Sequence, residues 1–214
     1  MARDEVLTAD VLMMAYAAGV FPMSESRHDD EIFWVDPRQR GIIPLDGFRI
    51  SRSLAKVLRQ DRFAVTVNAD FAGVLAGCAD REETWINGPI ARLYTELHDR
   101  GAAHSLEVRQ DGRLVGGVYG VVQGGAFFGE SMYSRTRDAS KVALAHLVDR
   151  LNRGGFALFD TQFLTPHLAS LGGIEVPRDR YRAMLAKALT VRADFLAPDP
   201  ASGQEVVQRN AQTS

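Results

Sequence analysis

The 214-residue chain contains a single cysteine, Cys78, and this scarcity narrows its possible chemistry. One cysteine cannot form an internal disulfide and cannot supply a zinc site alone, so the sequence predicts a reducing compartment. Because Cys78 lies in a stretch rich in Ala, Leu and Phe, we expect a buried core residue rather than a reactive thiol.

Long hydrophobic runs are also missing, and so is any large excess of charge. No stretch approaches the roughly 18 apolar residues that a membrane helix needs, and the charged residues among positions 1–5 do not fit a signal peptide. The sequence therefore predicts a cytoplasmic protein with no membrane partner. The formal net charge is -2, so contact with nucleic acid requires a local basic patch.

Motifs of two common enzyme classes are absent as well. The chain has no Gly-x-Ser-x-Gly elbow of the hydrolase type, and its five histidines are scattered, so no metal-binding pair is predicted. His104 and His167 are therefore interpreted as structural residues.

What the sequence does contain is a regular succession of helix and strand patterns. Residues 1–80 predict a small N-terminal α/β domain, with helices that begin after the candidate N-caps Thr8, Ser51 and Asp70. Residues 81–195 predict, in order, a helix at 89–100, strands at 105–109, 114–122 and 126–129, a helix at 138–151, a strand at 156–159, and helices at 166–171 and 178–189. Residues 196–214 are rich in Pro, Ser, Gln and Asn and predict a flexible tail.

The order of elements in the second segment defines the expected fold class. Three strands followed by helix, strand and helix predict an α/β (α+β) protein whose mixed sheet carries helices on its faces. This order resembles the central part of GNAT-like acyltransferase domains. The analogy concerns fold, and function has to be argued from the site.

Two carboxylates stand at the ends of apolar strands. Glu130 and Asp160 occupy positions where mixed sheets display catalytic groups, and a carboxylate there is costly to bury unless it is paired or used. The alternative is that both residues cap helices or form ion pairs with Arg135 and Lys141.

The segments around these carboxylates resemble signature segments of the leucyl/phenylalanyl-tRNA–protein transferase family. They are Gly-Glu-Ser-Met-Tyr-Ser-Arg at 129–135, Ala-Ser-Lys at 139–141 and Asp-Thr-Gln at 160–162. Further segments that agree are 19–23, 34–38, 84–86, 104–108, 116–120 and 169–172. The resemblance implies transfer of Leu, Phe or Met from aminoacyl-tRNA to proteins that begin with Arg or Lys, which marks them for degradation. Aminolysis of an ester is downhill, so no cofactor and no metal are expected.

The resemblance also implies roles for individual residues. Asp160 would act as the base or electrostatic relay, and Gln162 would position the attacking amine. Glu130 would bind the basic side chain of the acceptor, because carboxylates bind Arg in a bidentate manner. Ser134, in the same segment, would belong to the substrate-binding set.

The donor also needs an apolar pocket and a stacking surface. The resemblance places the pocket near Val118, Phe128 and Leu147, and it places Trp34 and Trp85 beside the terminal adenosine, where stacking contributes roughly 1–3 kcal/mol per base. For all five residues the alternative is ordinary core packing.

Basic residues cluster between positions 38 and 62, against two acids, Asp46 and Asp61. The cluster comprises Arg38, Arg40, Arg49, Arg52, Lys56, Arg59 and Arg62. Such a cluster predicts a phosphate-binding face for tRNA. A solvated helix face is the alternative interpretation.

Two other functions remain open from sequence. An acyl-CoA-dependent acetyltransferase of GNAT type would carry a glycine-rich loop whose amides hold the pyrophosphate, but residues 136–141 lack glycine and include the acidic Asp138. A non-catalytic RNA-binding module would explain the basic cluster and the tryptophans. It would not explain the carboxylates at the two strand ends.

Overall fold

The computed structural model describes residues 7–27, 29 and 31–213. The predicted absence of a signal peptide at residues 1–5 therefore lies outside the described residues. The strands of the described part are β1 (Phe21–Met23), β2 (Phe33–Val35), β3 (Gln39–Ile42), β4 (Ala64–Val67), β5 (Ala103–Gln110), β6 (Arg113–Gln123), β7 (Ala126–Ser134), β8 (Leu158–Gln162) and β9 (Ile174–Pro177). The helices are α1 (Ala9–Ala17), α2 (Arg52–Arg59), α3 (Phe71–Ala79), α4 (Gly88–Asp99), α5 (Ala139–Arg153), α6 (Pro166–Ser170), α7 (Arg178–Leu189) and α8 (Gly203–Thr213).

Local sequence signals explain where several of these elements begin and end. The side chains of Thr8, Ser51 and Asp70 each accept a backbone N–H of the first turn of α1, α2 and α3, which confirms the three predicted N-caps. Asp111 and Gly112 both have positive φ, as the predicted hairpin turn between β5 and β6 requires.

Strands β3 to β9 form one seven-stranded sheet in the order β4-β5-β6-β7-β8-β3-β9, and β1 pairs with β2 separately. β7 and β8 run parallel, whereas the other neighbours in the sheet run antiparallel. A parallel pair needs a crossover connection, which α5 supplies. The predicted mixed α/β sheet is confirmed. Because β3 and β4 belong to it, the sheet spans the predicted domain boundary at residue 80.

Helices cover both faces of the sheet and divide the core into two layers. One layer is formed with α1, α3, α4 and α7, and the other with α2, α5, α6 and α8. Cys78 lies in the first layer with 1% of its surface exposed, and burial raises the pKa of its thiol to about 12. The interpretation of Cys78 as a core residue is therefore confirmed. In the described part of the chain, the helices lack the combined length and apolar character that crossing a membrane requires.

The segment predicted as a flexible tail is folded instead. Its residues 203–213 form α8, which packs against α2 and α5 and buries Val206 to 1% exposure. Arg209 donates from Nε to the buried carboxylate of Asp149 at 2.6 Å. Most residues of this segment are polar, which is why a flexible tail was predicted. The segment instead forms an amphipathic helix whose two valines, Val206 and Val207, face the core.

Candidate active site

The site begins where two parallel strands separate. The pairing of β7 with β8 runs from Ala126 and Leu158 to Phe128 and Asp160. Beyond this point β7 stays paired with β6 alone, and β8 with β3 alone. A cavity of about 270 Å³ opens between residues 129–132 and residues 161–163. Divergence of the strands therefore exposes side chains that the sheet would otherwise enclose.

One part of the cavity is an apolar pouch on the α5 face of the sheet. It is lined by Val118, Met132, Leu144, Phe159 and Leu168, which belong to the core layer formed with α5 and α6. A pouch of this composition accepts an aliphatic or aromatic side chain, and it discriminates between sizes by only about 1–3 kcal/mol per methylene.

Glu130 enters the cavity because β7 contains a bulge. Tyr119 of β6 pairs with Ser131 while Gly120 pairs with Gly129, so Glu130 is the extra residue. Bulges redirect side chains in this way. The Glu130 carboxylate accepts a hydrogen bond from the Tyr94 hydroxyl at 2.6 Å and one from Gln162 Nε2 at 3.3 Å.

A pair of buried tyrosines supports this carboxylate. The hydroxyls of Tyr16 and Tyr94 lie 2.7 Å apart, and because Tyr94 donates to Glu130, Tyr16 donates to Tyr94. Burial, and then the nearby Glu130 carboxylate, raises the pKa of each tyrosine well above its ordinary value, so both remain donors. Burial raises the pKa of Glu130 to about 7, against the lowering effect of the hydroxyls of Tyr94 and Tyr16. The carboxyl thus changes charge near neutral pH.

The environment of the Asp160 carboxylate differs from that of the Glu130 carboxylate. Asp160 lies only two residues before Gln162, which contacts Glu130. The Asp160 carboxylate is fully buried and accepts four hydrogen bonds: from Arg40 Nε at 2.9 Å, Gln162 N at 2.9 Å, Arg40 Nη2 at 2.6 Å and the Tyr181 hydroxyl at 2.8 Å. Four bonds use the acceptor capacity of a carboxylate. Of the predicted pair, Gln162 therefore lines the cavity, and Asp160 lies behind it.

The prediction that Arg40 belongs to a tRNA-binding surface is wrong. Arg40 is 1% exposed, and its guanidinium lies between the rings of Phe21 and Tyr181, 4.5 Å from each centroid. Burial disfavours the charged form, but the bonds to Asp160 outweigh this effect and raise the pKa of Arg40. A carboxylate 120 positions away in the sequence thus neutralises a cation that appeared to belong to the surface cluster.

The other basic residues of the cluster are exposed. Three of them follow one another along the outer face of α2 at the i, i+4 and i+7 positions. The exposed members are Arg38, Arg49, Arg52, Lys56, Arg59 and Arg62. The α2 stripe, defined as Arg52, Lys56 and Arg59, is thus a surface available to a polyanion.

The residues predicted for the acyl and adenosine sites separate into two groups. Val118 and Trp85 line the cavity, and Trp85 packs edge-on against Tyr94. Trp34 is 42% exposed on β2, where it pairs with Pro22, which also lines the cavity.

Phe128, Leu147 and Ser134 are not placed on the cavity wall. Phe128 and Leu147 are fully buried in the two core layers, and the wall is formed by Leu144 and Phe159 instead. On α5 the predicted and observed wall residues are one helical turn apart. Leu144 lines the cavity in place of the predicted Leu147. Ser134 donates to the Thr136 carbonyl at 2.7 Å and accepts Ser140 N–H at 3.3 Å, so it orders the start of α5.

Sequence reasoning also missed several polar side chains of the site. Tyr94 and Tyr16 were assigned only to helices, Tyr181 was not singled out, and Arg81 lines the cavity while it donates to the Met132 carbonyl. The hydroxyl of Tyr94 on an otherwise apolar helix face was the available signal, since a buried tyrosine hydroxyl normally finds a partner.

An apolar pouch beside a carboxylate and an amide can hold an apolar acyl group next to an amine, which is what acyl transfer requires. The comparisons agree. Residues 42–186 match the family model for leucyl/phenylalanyl-tRNA protein transferase, and residues 5–38 match the model for its N-terminal domain. The chain belongs to the leucyl/phenylalanyl-tRNA protein transferase family, and it is an aminoacyltransferase.

Individual relatives are similar over nearly the whole chain. The leucyl/phenylalanyl-tRNA--protein transferase of Ruegeria sp. (strain TM1040) is 67% identical over 97% of this chain and 99% of its own length. The protein of the same name from Ruegeria pomeroyi is 60% identical over 97% of this chain and 99% of its own length.

Solved structures resemble the chain more distantly. FemX has a TM-score of 0.49 and 12% identity, over 82% of this chain and 71% of its own. Ribosomal-protein-alanine N-acetyltransferase from Brucella melitensis biovar Abortus 2308 has a TM-score of 0.33 and 24% identity, over 42% of this chain and 72% of its own.

Proposed function

We propose that this enzyme transfers Leu or Phe, with Met as a further donor, from aminoacyl-tRNA to the α-amino group of proteins that begin with Arg or Lys. The observation that carries the proposal is the contact between Gln162 and Glu130 at 3.3 Å, in a cavity that also contains an apolar pouch. The new apolar N-terminus would mark the protein for degradation. Dependence on aminoacyl-tRNA and the single buried cysteine favour a cytoplasmic location.

The reaction needs an oriented amine more than a strong base. An α-amino group has an ordinary pKa of about 7.7–8.0, so a useful fraction is neutral at cytoplasmic pH. Gln162 donates through Nε2 to Glu130, which leaves its Oε1 to accept an N–H of the amine. The amine nitrogen bonds to the ester carbonyl carbon, the bond to the tRNA 3′ oxygen breaks, and the amine proton ends on that oxygen.

The two carboxylates would then have separate roles. Glu130 binds the guanidinium or ammonium of the acceptor side chain, which in turn favours the ionised carboxylate. Asp160 acts as the electrostatic relay behind Gln162 rather than as a base in contact with the amine, since four donors occupy its oxygens.

A change of Glu130 to Gln tests the acceptor site. We expect kcat/KM for an Arg peptide to fall by about 10–150-fold, which is the cost of losing a hydrogen bond between charged groups. In the wild type, acceptor affinity should improve as the pH rises through about 7, because the carboxyl then ionises. The variant should lack this component and keep only the pH dependence that ionisation of the acceptor amine gives to both proteins. Transfer to peptides that begin with Arg, Lys or Ala, measured between pH 5.5 and 8.5, checks both expectations.

The same change has an opposite effect on stability. Folding raises the pKa of Glu130, so its contribution to stability is present below about pH 4.5 and is lost as the pH rises through about 7. At pH 8 the variant should therefore unfold with a free energy higher by about 1–3 kcal/mol, and the gap should close near pH 5. Glu175→Gln, at an exposed position on β9, is the matched control. A pH profile that is the same in wild type and Glu130→Gln would contradict the assignment.

The α2 stripe is proposed as the contact surface for the tRNA backbone. Arg49, just before α2, donates its N–H to the Leu171 carbonyl at 2.9 Å, at the end of α6. Leu168 of the same helix lines the cavity. Helix α6 thus borders the cavity and also contacts the segment that leads into α2, where phosphates would meet Arg52, Lys56 and Arg59.

Removing the α2 stripe should weaken tRNA binding in a salt-dependent manner. Each phosphate contact contributes about 0.7–0.9 to the slope of log affinity against log salt, so Arg52→Ala/Lys56→Ala/Arg59→Ala should reduce the slope by about 2–3. Filter binding from 50 to 300 mM salt measures it. The control removes three exposed cations elsewhere, Arg113, Arg180 and Lys187, and should leave more of the slope intact. Equal slopes in the two triple variants would contradict the proposed surface.

A further inference from the structure

Directly behind the cavity lies a buried group that we call the clamp, made of Arg40, Asp160 and Tyr181. Their side chains are between 0% and 1% exposed. Arg40 binds both oxygens of Asp160, at 2.9 and 2.6 Å, and the Tyr181 hydroxyl donates to the second of them at 2.8 Å. The clamp fixes the plane of the Asp160 carboxylate, because Nε and Nη2 of the Arg40 guanidinium each donate to a different carboxylate oxygen.

Stability does not account for this arrangement. Removing two charges from water is expensive, and well-packed apolar residues often replace a buried ion pair without loss of stability. Arg40 is nevertheless held from every side. Its Nη1 donates to the Gly19 carbonyl at 3.0 Å, and the rings of Phe21 and Tyr181 cover its two faces. A planar guanidinium matches this slot better than an ammonium, which lacks the paired N–H donors and the flat faces.

The clamp acts on Gln162. The N–H of Gln162 donates to Asp160 Oδ1 at 2.9 Å, and this residue has a φ of 58°, in the left-handed region. A non-glycine residue keeps such a backbone only when its surroundings enforce it. The enforced turn directs the side chain towards the cavity, where Nε2 contacts Glu130.

We infer that Arg40 is a positioning residue for aminoacyl transfer: by fixing the Asp160 carboxylate, it holds the Gln162 amide against Glu130 at the cavity. The inference rests on the proposed function for the identity of the reaction. Arg40 is thereby assigned to the chemical step and not to tRNA binding, although it belongs to the basic cluster in the sequence.

Arg40→Met tests the assignment, because it keeps an unbranched, flexible side chain and removes the guanidinium that binds Asp160. We expect kcat for leucine transfer to an Arg peptide to fall about 100-fold, the usual cost of a misplaced reacting group. KM for leucyl-tRNA and for the peptide should stay within about twofold, since neither substrate touches Arg40. Arg40→Lys, which restores the charge, should recover part of the loss. The salt dependence of tRNA binding should equal that of the wild type.

The matched control breaks a bidentate pair away from the cavity. Arg209→Met removes the two bonds from Arg209 to the buried Asp149 carboxylate, and it should lose stability while kcat stays unchanged. A folded Arg40→Met with wild-type kcat would overturn the inference, and so would a loss confined to the KM for tRNA. If Arg40→Met does not fold, Tyr181→Phe decides: a kcat about 5–10-fold lower at unchanged KM supports the clamp, and an unchanged kcat overturns it. Absence of transfer by the wild type would instead show that the proposed function is wrong.

Discussion

Replacing Gln162 with glycine should lower leucine transfer by about 100–1,000-fold and leave the protein as stable as the wild type or more stable. The loss follows from the missing amide, which donates to Glu130 in the cavity while the backbone N–H of the same residue donates to Asp160. The stability follows from the φ of 58° at this position, which glycine adopts without strain. The relief is about 1 kcal/mol, offset by the loss of a buried side chain that is 7% exposed.

Single-turnover transfer and thermal unfolding, measured on the same preparation, separate these two effects. Asp111→Gly is the matched control, because Asp111 also has a positive φ of 51° but lies at the exposed hairpin between β5 and β6. That variant should match or exceed wild-type stability with full transfer activity. A Gln162→Gly protein that transfers at the wild-type rate would remove Gln162 from the reaction.

Asp160→Asn should lower kcat by about 100–10,000-fold and, unlike the glycine change, should also destabilise the fold by about 3–5 kcal/mol. The amide offers one acceptor atom where the carboxylate offers two, so its NH₂ group must face two donors. These are either Arg40 Nη2 with the Tyr181 hydroxyl, or Arg40 Nε with the Gln162 N–H. In both orientations Arg40 keeps a buried charge without a compensating anion.

A second buried carboxylate provides the comparison. Asp149 is 7% exposed and accepts from Arg153 and Arg209, away from the cavity. Asp149→Asn should therefore lose stability without a change in kcat. Denaturant unfolding together with saturation kinetics checks both variants. Equal kinetic effects in Asp160→Asn and Asp149→Asn would mean that activity merely follows stability.

The order of most elements was predictable because the signals that set it are local. Thr8, Ser51 and Asp70 cap helices with their own side chains, and periodicity identifies β5 to β8 and α5 without tertiary information. The short strands β3 and β9 were missed because four residues carry little periodicity and β3 contains glycine. The helix α8 was missed because its apolar face consists of two valines among polar residues.

The two strand-end carboxylates were also predictable, but their different environments were not. Glu130 and Asp160 both follow apolar strand residues in the sequence. A bulge directs Glu130 into the cavity, whereas Arg40 binds both carboxylate oxygens of Asp160. Arg40 lies 120 positions from its partner, so no local pattern separates it from the exposed cations on either side. Within β3, Arg40 shares a face with Ile42, but one exposed residue followed by three buried ones gives no alternation that would have identified Arg40 as buried.

We propose that aminoacyl transfer takes place in the cavity between β7 and β8. The most direct test of this proposal is the transfer of radiolabelled leucine from leucyl-tRNA to a peptide that begins with Arg, by wild type and by folded Gln162→Gly in parallel. We expect rapid transfer by the wild type and a rate at least about 100-fold lower in the variant. Absence of transfer by the wild type from intact leucyl-tRNA to both Arg and Lys peptides, or equal rates in the two proteins, would contradict the proposal.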